Sequence, residues 1–258
     1  MKKIIAIVSQ KGGVGKTTTA ATLADALAEQ GKKVLCIDLN EQGDLTDTLN
    51  PANGTGGSLE LFKGTPAAEL IRNTATPGID VIIGTDSLAT LEMVIGQGRK
   101  DRPYLLKAAL KPVRRLYNYC IIDAPGSFNV AFLNALAAAD SVIIPAQADY
   151  YSLKNITTLI KNIRYVKAEL NPSLMVDGIL LTRYQGRRNV SKSAVEVLEQ
   201  AREALGTRLF NTKIREYSKI TEAAGHRKTV IKYAPNSNGA ADYLAFVEEY
   251  MNILKERN

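Results

Sequence analysis

The segment Ser9-Gln10-Lys11-Gly12-Gly13-Val14-Gly15-Lys16-Thr17-Thr18 decides the fold. It follows the apolar run Ile4–Val8 and precedes the helix-forming run Ala20–Glu29, so a strand, a glycine-rich turn and a helix are predicted in that order. Glycines let successive backbone N–H groups converge on phosphate oxygens, and the helix N-terminus adds the positive end of its dipole. We therefore expect the stretch from Gly12 to Thr18 to bind a nucleotide, with Lys16 reaching the β- and γ-phosphates and Thr17 binding Mg²⁺.

Short apolar runs alternate with longer stretches of helical periodicity along the rest of the chain. Two of these runs, Cys120-Ile121-Ile122 and Val142-Ile143-Ile144, are apolar on both alternating faces, as expected where helices cover both sides of a parallel sheet. The pattern predicts an α/β fold with a doubly wound, mostly parallel sheet in one domain over residues 1–258. Seven strands are predicted: Ile4–Val8, Val34–Ile37, Ile79–Ile83, Tyr119–Ile122, Ser141–Pro145, Val176–Leu181 and Leu209–Ile214. Loops are predicted at Asn50–Gly64 and Gly96–Pro103.

The composition is typical of a globular protein, because 45% of the 258 residues are hydrophobic and 23% are charged. No uninterrupted apolar run reaches the roughly 18–20 residues of a membrane-spanning helix, and the run Ile4–Val8 is too short for a signal peptide. The two cysteines, Cys36 and Cys120, lie inside predicted strands and suit buried thiols better than a disulfide. We therefore expect a cytoplasmic protein with no membrane partner.

The phosphate loop departs from the common pattern at two neighbouring positions. Gln10 stands where a glycine is usual, and an additional lysine, Lys11, follows it. The resulting form, Lys-Gly-Gly-Val-Gly-Lys-Thr, resembles the deviant Walker A box of the ParA/MinD superfamily of ATPases. This resemblance implies a homodimer that sandwiches ATP, in which Lys11 reaches the nucleotide of the partner chain and Lys16 that of its own.

Three further segments extend the resemblance over almost the whole chain. Asp38-Leu39-Asn40-Glu41-Gln42-Gly43-Asp44 is similar to the switch I segment Asp-x-Asp-Pro-Gln-x-Asn, and Ile122-Asp123-Ala124-Pro125-Gly126 to Walker B and switch II. The tail from Thr221 to Ala240 follows the spacing of the ParA (Soj) branch. The resemblance to ParA/Soj partition ATPases implies a segregation ATPase that coats nucleoid DNA and is released when a ParB-like partner stimulates hydrolysis.

The carboxylates beside the loop suit a metal site. Asp38 and Asp123 follow predicted strands, so we expect them to hold Mg²⁺ together with Thr17, although either could instead cap a helix. In the family the second switch I aspartate polarises the attacking water, and Asn40 replaces it here. A carboxamide can orient a water but cannot accept its proton, so we expect Lys11, Lys16 and Asn40 to form a catalytic set that hydrolyses ATP slowly.

The basic residues are concentrated in three stretches. Residues 99–115, 183–192 and 208–232 carry net charges of +6, +4 and +5, although the whole chain carries only +7. A clustered basic face would bind duplex phosphates with little sequence preference, whereas a dispersed one would simply be solvated. The resemblance implies nonspecific double-stranded DNA as a partner.

The expected DNA contacts come from the resemblance and from proximity in sequence. Arg187 and Lys219 occupy positions at which the family contacts DNA, and Arg188, Arg227 and Lys228 are added because they lie nearby. Nucleoid association in the cytoplasm follows as an expectation.

The position of the base is the least determined part of the predicted site. Thr182 and Arg183 are candidates for nucleotide contacts. The pair Arg215-Glu216 stands where the family has Pro-Arg, which alters the expected base pocket.

Two other functions remain open. The terminal helix, predicted at Ala241–Lys255, carries an apolar stripe that could dip into a membrane as in MinD, although packing in the core is favoured. Its members are Leu244, Val247, Tyr250, Met251 and Leu254. An iron-protein-like reductase would need cysteine ligands near a dimer axis, which disagrees with Cys36 and Cys120 inside strands.

Overall fold

The computed structural model describes residues 3–96, 98–148, 150–185 and 192–256. One eight-stranded sheet runs through this part of the chain, in the order β3-β4-β2-β5-β1-β6-β7-β8. Neighbouring strands are parallel, except for the antiparallel pair of β3 with β4. The strands are β1 (Lys3–Ile7), β2 (Val34–Asp38), β3 (Arg72–Asn73), β4 (Ile79–Ile82), β5 (Tyr119–Asp123), β6 (Ser141–Ala146), β7 (Met175–Tyr184) and β8 (Leu209–Arg215). The doubly wound, mostly parallel sheet and all seven predicted strands are confirmed, and β3 was not predicted.

Helices lie on both sides of the sheet. Those up to β5 are α1 (Lys16–Glu29), α2 (Asp44–Leu49), α3 (Ser58–Lys63), α4 (Ala67–Leu70), α5 (Leu91–Ile95) and α6 (Leu105–Leu110). Those after it are α7 (Val130–Ala138), α8 (Tyr150–Glu169), α9 (Lys192–Leu205), α10 (Ser218–Gly225), α11 (Val230–Tyr233) and α12 (Asn238–Glu256). Short 3-10 turns lie at Asp86–Thr90 and Arg102–Tyr104.

The alternation of side chains along the strands divides the core into two layers. In β2, Leu35 and Ile37 pack on the side that also holds α3, α6 and α7, which we call the first layer. Val34 and Cys36 pack on the side of α1, α11 and α12, the second layer. Both layers are apolar, which explains why the central strands are apolar on both faces. Cys36 and Cys120 are fully buried free thiols, as predicted.

The structure corrects two predicted boundaries. The stretch Asn50–Gly64 is not a loop throughout, because α3 lies within it and buries Leu59, Leu61 and Phe62 in the first layer. The terminal helix α12 begins at Asn238, three residues before the predicted start.

The apolar stripe of α12 packs in the core. Val247, Tyr250 and Leu254 are buried and Met251 packs against the second layer, whereas Leu244 is exposed. No helix in the described residues combines the length and the apolar character that crossing a membrane requires.

The basic stretches do not form a single face. Leu106, Leu110 and Val113 of the stretch 99–115 belong to the first layer, whereas Phe210, Ile214 and Val230 of the stretch 208–232 belong to the second. These two stretches therefore lie on opposite sides of the sheet. Of the stretch 183–192, residues 186–191 lie outside the described part of the chain.

Candidate functional site

The glycine loop connects β1 to α1 in the way that the sequence predicts. Gly13 and Gly15 adopt left-handed backbone conformations with φ of 71° and 86°, which side chains with a Cβ disfavour. Lys16 is the first residue of α1, so the loop ends at a helix N-terminus. Every residue from Gly12 to Thr18 lines a cavity of about 920 Å³. This volume is in the range of small-molecule and cofactor sites.

Lys16 extends from the helix start across the mouth of the loop. Its Nζ donates to the backbone oxygen of Lys11 at 3.2 Å and lies 3.6 Å from the position that a Cβ would take on Gly126. Burial lowers the pKa of Lys16, while the charges of Asp123 and Asp44 raise it. A partly buried ammonium group beside exposed loop N–H groups is suited to an anionic ligand.

Asp123 ends β5 next to the loop. It is fully buried, and its Oδ2 accepts a hydrogen bond from the Thr17 hydroxyl at 2.6 Å. Its Oδ1 has no hydrogen-bond partner. Burial, followed by the negative charge of Asp38, raises the pKa of Asp123 to about 7. An unpartnered buried carboxylate oxygen beside a threonine hydroxyl fits a divalent cation, whose hard oxygen ligands are of this kind.

Asp38 faces Asp123 across neighbouring strands, in the register of β2 with β5. Its Oδ2 accepts hydrogen bonds from the backbone N–H and the hydroxyl of Thr46, at 3.0 and 2.7 Å. Its Oδ1 accepts from the Asn40 N–H at 3.0 Å. Thr46 lies in the first turn of α2, so Asp38 caps that helix, the alternative that the sequence left open. Burial raises the pKa of Asp38, which lies close to the expected metal position without lining the cavity.

Asn40 lines the same cavity as Lys16. A Cβ on Gly84 would come within 2.4 Å of the Asn40 carbonyl oxygen and 2.7 Å of Asp38 Cγ, so only glycine fits there. The backbone of the switch-like segment is therefore held by Asp38 and Gly84.

Lys11 takes a different course from Lys16. Its Nζ donates to Gln147 Oε1 at 2.7 Å, just beyond β6. Lys11 lines a second, smaller cavity with Ser9 and Asn155 of α8. The structure thus places the two lysines on different sides of the loop.

Thr182 and Arg183 line the large cavity beside the glycine loop. The Thr182 hydroxyl donates to the Val14 carbonyl oxygen at 2.8 Å, and so braces the glycine loop from β7. Arg183 adopts a left-handed conformation with φ of 50° and donates to Glu216 through Nη2 at 2.6 Å. Its Nη1 lies 3.9 Å from the Cβ position of Gly13. Both predicted residues are therefore next to the loop.

Tyr243 reaches the cavity from α12. No sequence motif marked this residue as part of the site. Its hydroxyl lies 3.6 Å from the Cβ position of Gly15 and 3.4 Å from Thr19 Oγ1. The side chain is buried under the loop. The preceding residue, Asp242, accepts a hydrogen bond from Arg215 Nε at 2.7 Å. Helix α12 therefore supports both the loop and Arg215, which also lines the cavity.

The described candidates for DNA contact lie in the first turn of α10, at Lys219, and just after its end, at Arg227 and Lys228. Lys219 is paired with Glu222 at 2.7 Å. Arg227 is exposed, with its Nη2 4.0 Å from Asp47 Oδ1, and Lys228 is exposed next to it. Arg187 and Arg188 lie outside the described residues.

The ring of His226 stacks on that of Tyr233 with centroids 4.8 Å apart. Within the residues that the structure describes, no group of three or more His, Cys, Asp or Glu side chains is placed to hold a metal ion.

A first parallel strand that leads through a left-handed glycine loop into a helix, with a buried aspartate ending the next strand, is the construction of P-loop nucleoside triphosphatases. Comparison with known proteins narrows this class. The family model described as an AAA domain matches residues 2–176. The chain is 38% identical to the sporulation initiation inhibitor protein Soj of Bacillus subtilis over 96% of its length and 98% of that protein. It is 38% identical to the chromosome partitioning protein ParA of Myxococcus xanthus over 96% of its length and 88% of that protein. The chain belongs to the Soj/ParA family of chromosome-partitioning ATPases.

Solved structures show the same fold. A cobyrinic acid a,c-diamide synthase from Mycobacterium smegmatis with bound ADP and magnesium has a TM-score of 0.83 at 29% identity, over 100% of this chain and 97% of that one. The septum site-determining protein MinD from Pyrococcus horikoshii, complexed with Mg-ADP, has a TM-score of 0.78 at 25% identity, over 96% of both chains.

Proposed function

We propose that this protein binds ATP with Mg²⁺ in the large cavity, dimerises around the nucleotide, and in that form binds double-stranded DNA without sequence preference. The observation that carries the proposal is the unpartnered Oδ1 of Asp123 beside Thr17, at the mouth of a glycine loop. Structures of similar proteins that contain ADP and magnesium support the choice of ligand.

Different residues of the site would bind the phosphates, the metal ion and the base of the nucleotide. The N–H groups of the loop and Lys16 would bind the phosphates, and Thr17 and Asp123 would hold the Mg²⁺, with Asp38 behind them. When bound, Mg²⁺ neutralises charge that develops on the phosphate oxygens. The Arg183–Glu216 pair also lines the cavity, and the base would lie beside it.

We propose that Asn40 limits the rate of hydrolysis. Asn40 lines the cavity, and a carboxamide at this position can orient a water but cannot take up its proton. Catalysis then rests on positioning and on the positive charges of Lys16 and of Lys11 from the partner chain.

We further propose that a ParB-like protein stimulates hydrolysis and that the DNA-bound form associates with the nucleoid. The identity with Soj and ParA proteins over nearly the whole chain supports this cycle. A MinD-like membrane role is disfavoured, because most of the apolar stripe of α12 packs in the core. An iron-sulfur role is disfavoured because both cysteines are buried within strands.

The proposal is tested by measuring dimerisation and DNA binding with and without Mg-ATP for the wild type, Lys16→Ala and Asn40→Asp. We expect Lys16→Ala to remain monomeric with nucleotide. Because Asn40→Asp restores a proton acceptor, we expect it to hydrolyse ATP about 10–100-fold faster while binding it equally well. Equal turnover of the wild type and Asn40→Asp would refute the assigned role of Asn40, and a wild type that stays monomeric with saturating Mg-ATP would refute the sandwich dimer.

A further inference from the structure

A third cavity, of about 450 Å³ and separate from the two described above, borders α2 outside the nucleotide site. Its walls come from the end of α2, the loop that follows it, β3 and the turn after α10. Two arginines, Arg72 and Arg227, line it together with one acid, Asp47. We call it the arginine pocket.

Two helix ends form part of the pocket wall. Asn50 and Arg227 line the arginine pocket with left-handed φ of 46° and 52°. Asn50 is the residue that caps the end of α2, and Arg227 follows the end of α10. Helices commonly end in a left-handed residue, so these two helix ends position the walls of the pocket.

The charges of the pocket suit an anion. Arg72 donates through Nη2 to the Gly56 carbonyl oxygen, which fixes the guanidinium while leaving other donors of its five. Arg227 is 63% exposed and Asp47 is 67% exposed, with 4.0 Å between them. An exposed ion pair at this distance contributes little to the stability of the fold. An incoming anion can therefore replace Asp47 beside Arg227 at a small cost in free energy.

The position of the pocket indicates which anion binds. Arg227 is itself one of the residues to which DNA binding is assigned above, and the exposed Lys228 follows it. The pocket therefore extends that surface from the end of α10 across α2 to the sheet edge at β3. We propose that the arginine pocket binds a backbone phosphate of duplex DNA, with Arg72 and Arg227 as its ligands; this rests on the proposed function.

The pocket also contacts the nucleotide site through one residue. Thr46 lines the pocket and donates from both its N–H and its hydroxyl to Asp38. Thr46 therefore connects the pocket to the carboxylate that lies close to the expected metal position. Any change in nucleotide affinity that DNA causes through this residue is matched by an equal change in DNA affinity caused by nucleotide, because coupling between two sites is reciprocal.

The test measures the affinity of the full chain, with a slowly hydrolysed ATP analogue and Mg²⁺, for a random-sequence duplex at several salt concentrations. Arg72→Gln removes the charge and retains a donor for Gly56. We expect it to weaken binding about fivefold and to reduce the slope of log affinity against log salt by about one. Arg72→Lys should restore most of the affinity, and Asp47→Asn should increase it about twofold.

Arg114→Gln is the matched control, because Arg114 is also a partly exposed, paired arginine but lies beside Asp140 at 3.5 Å, next to first-layer residues. We expect it to change the affinity less than twofold. Unfolding midpoints and nucleotide affinity without DNA establish that each variant is folded.

Four results would contradict the proposed role of the arginine pocket. Equal losses in Arg72→Gln and Arg114→Gln would indicate a general charge effect, and unchanged binding in Arg72→Gln would exclude the contact while leaving the proposed function intact. Saturable binding of inorganic phosphate at about millimolar concentration, lost in Arg72→Gln, would assign the pocket to a free anion instead of DNA. A wild type that binds no duplex would refute both the pocket and the DNA-binding part of the proposed function.

Discussion

At the amino edge of the sheet the Asp177 carboxylate meets a lysine of its own chain, whereas at the carboxyl edge the Asp123 carboxylate keeps one oxygen without a partner. Both aspartates are fully buried. Asp177 Oδ2 accepts from Lys3 Nζ at 2.7 Å, from the Tyr250 hydroxyl at 2.6 Å and from the Ser141 hydroxyl at 2.5 Å. Asp123 Oδ2 accepts from the Thr17 hydroxyl at 2.6 Å, and its Oδ1 has no hydrogen-bond partner.

The pKa values of the two groups move in opposite directions. Burial acts to raise the pKa of Asp177, but the hydrogen bond and charge of Lys3, with Ser141 and Tyr250, outweigh it and lower the pKa. For Asp123 burial prevails and the pKa is raised to about 7. The chain thus pairs the Asp177 carboxylate directly with a lysine, whereas the Mg²⁺ proposed above would be the direct partner of the Asp123 carboxylate.

The substitution with the largest expected effect on this comparison of the two aspartates is Asp123→Asn. We expect hydrolysis to fall by about 100-fold or more, because the carboxylate for the cation is lost while the carboxamide oxygen can still accept from Thr17. The fold should not be destabilised, since the unpartnered buried carboxyl is removed. ATP turnover across a magnesium titration, together with urea unfolding, measures both. Unchanged turnover with unchanged magnesium dependence would show that Asp123 is a structural residue like Asp177.

Lys3→Met tests the other edge. Removing the lysine leaves Asp177 buried without its cation, so we expect the free energy of unfolding to fall by about 3 kcal/mol. Lys63→Met is the control, because Lys63 is exposed and lies 3.6 Å from Glu60; its cost should be below about 0.5 kcal/mol. Urea unfolding compares the two variants. A cost for Lys3→Met as small as that of the control would remove the distinction between the edges.

The smallest expected effect is a dependence on pH. The pKa of Asp177 is lowered from an ordinary value of 3.8, so its ionised form stabilises the fold fully above that value, and the contribution is lost as the pH falls through the folded pKa. Lys3→Met lacks the pairing, so the difference in unfolding free energy between it and the wild type should shrink as the pH is lowered from about 6 to below about 4. Urea unfolding at stepped pH measures this, and a constant difference would contradict the assigned ion pair.

The sequence predicted the part of the site whose residues are adjacent in the chain. The phosphate loop fits within ten residues, and the strands that flank it are apolar on both faces, so neither requires knowledge of distant contacts. The bonds of Asp38 to Thr46 were left open because a carboxylate after a strand suits a metal and a helix cap equally well.

The rest depends on contacts between distant positions. Lys3 and Asp177 are 174 residues apart, and no local pattern marks them as partners. The strand β3 has two residues, too few for any periodicity, and α3 is marked only by apolar residues in a stretch otherwise rich in glycine. The extent of a single domain over residues 1–258 stays a prediction.

Tyr243 gives the molecule an order of assembly. Its hydroxyl lies under Gly15, yet the two residues are more than two hundred positions apart in the chain. During synthesis the glycine loop leaves the ribosome early, and the tyrosine that supports it follows only with the start of α12. A nascent chain therefore carries the triphosphate-binding segment long before that segment has its final support, and a shortened translation product would lack it altogether.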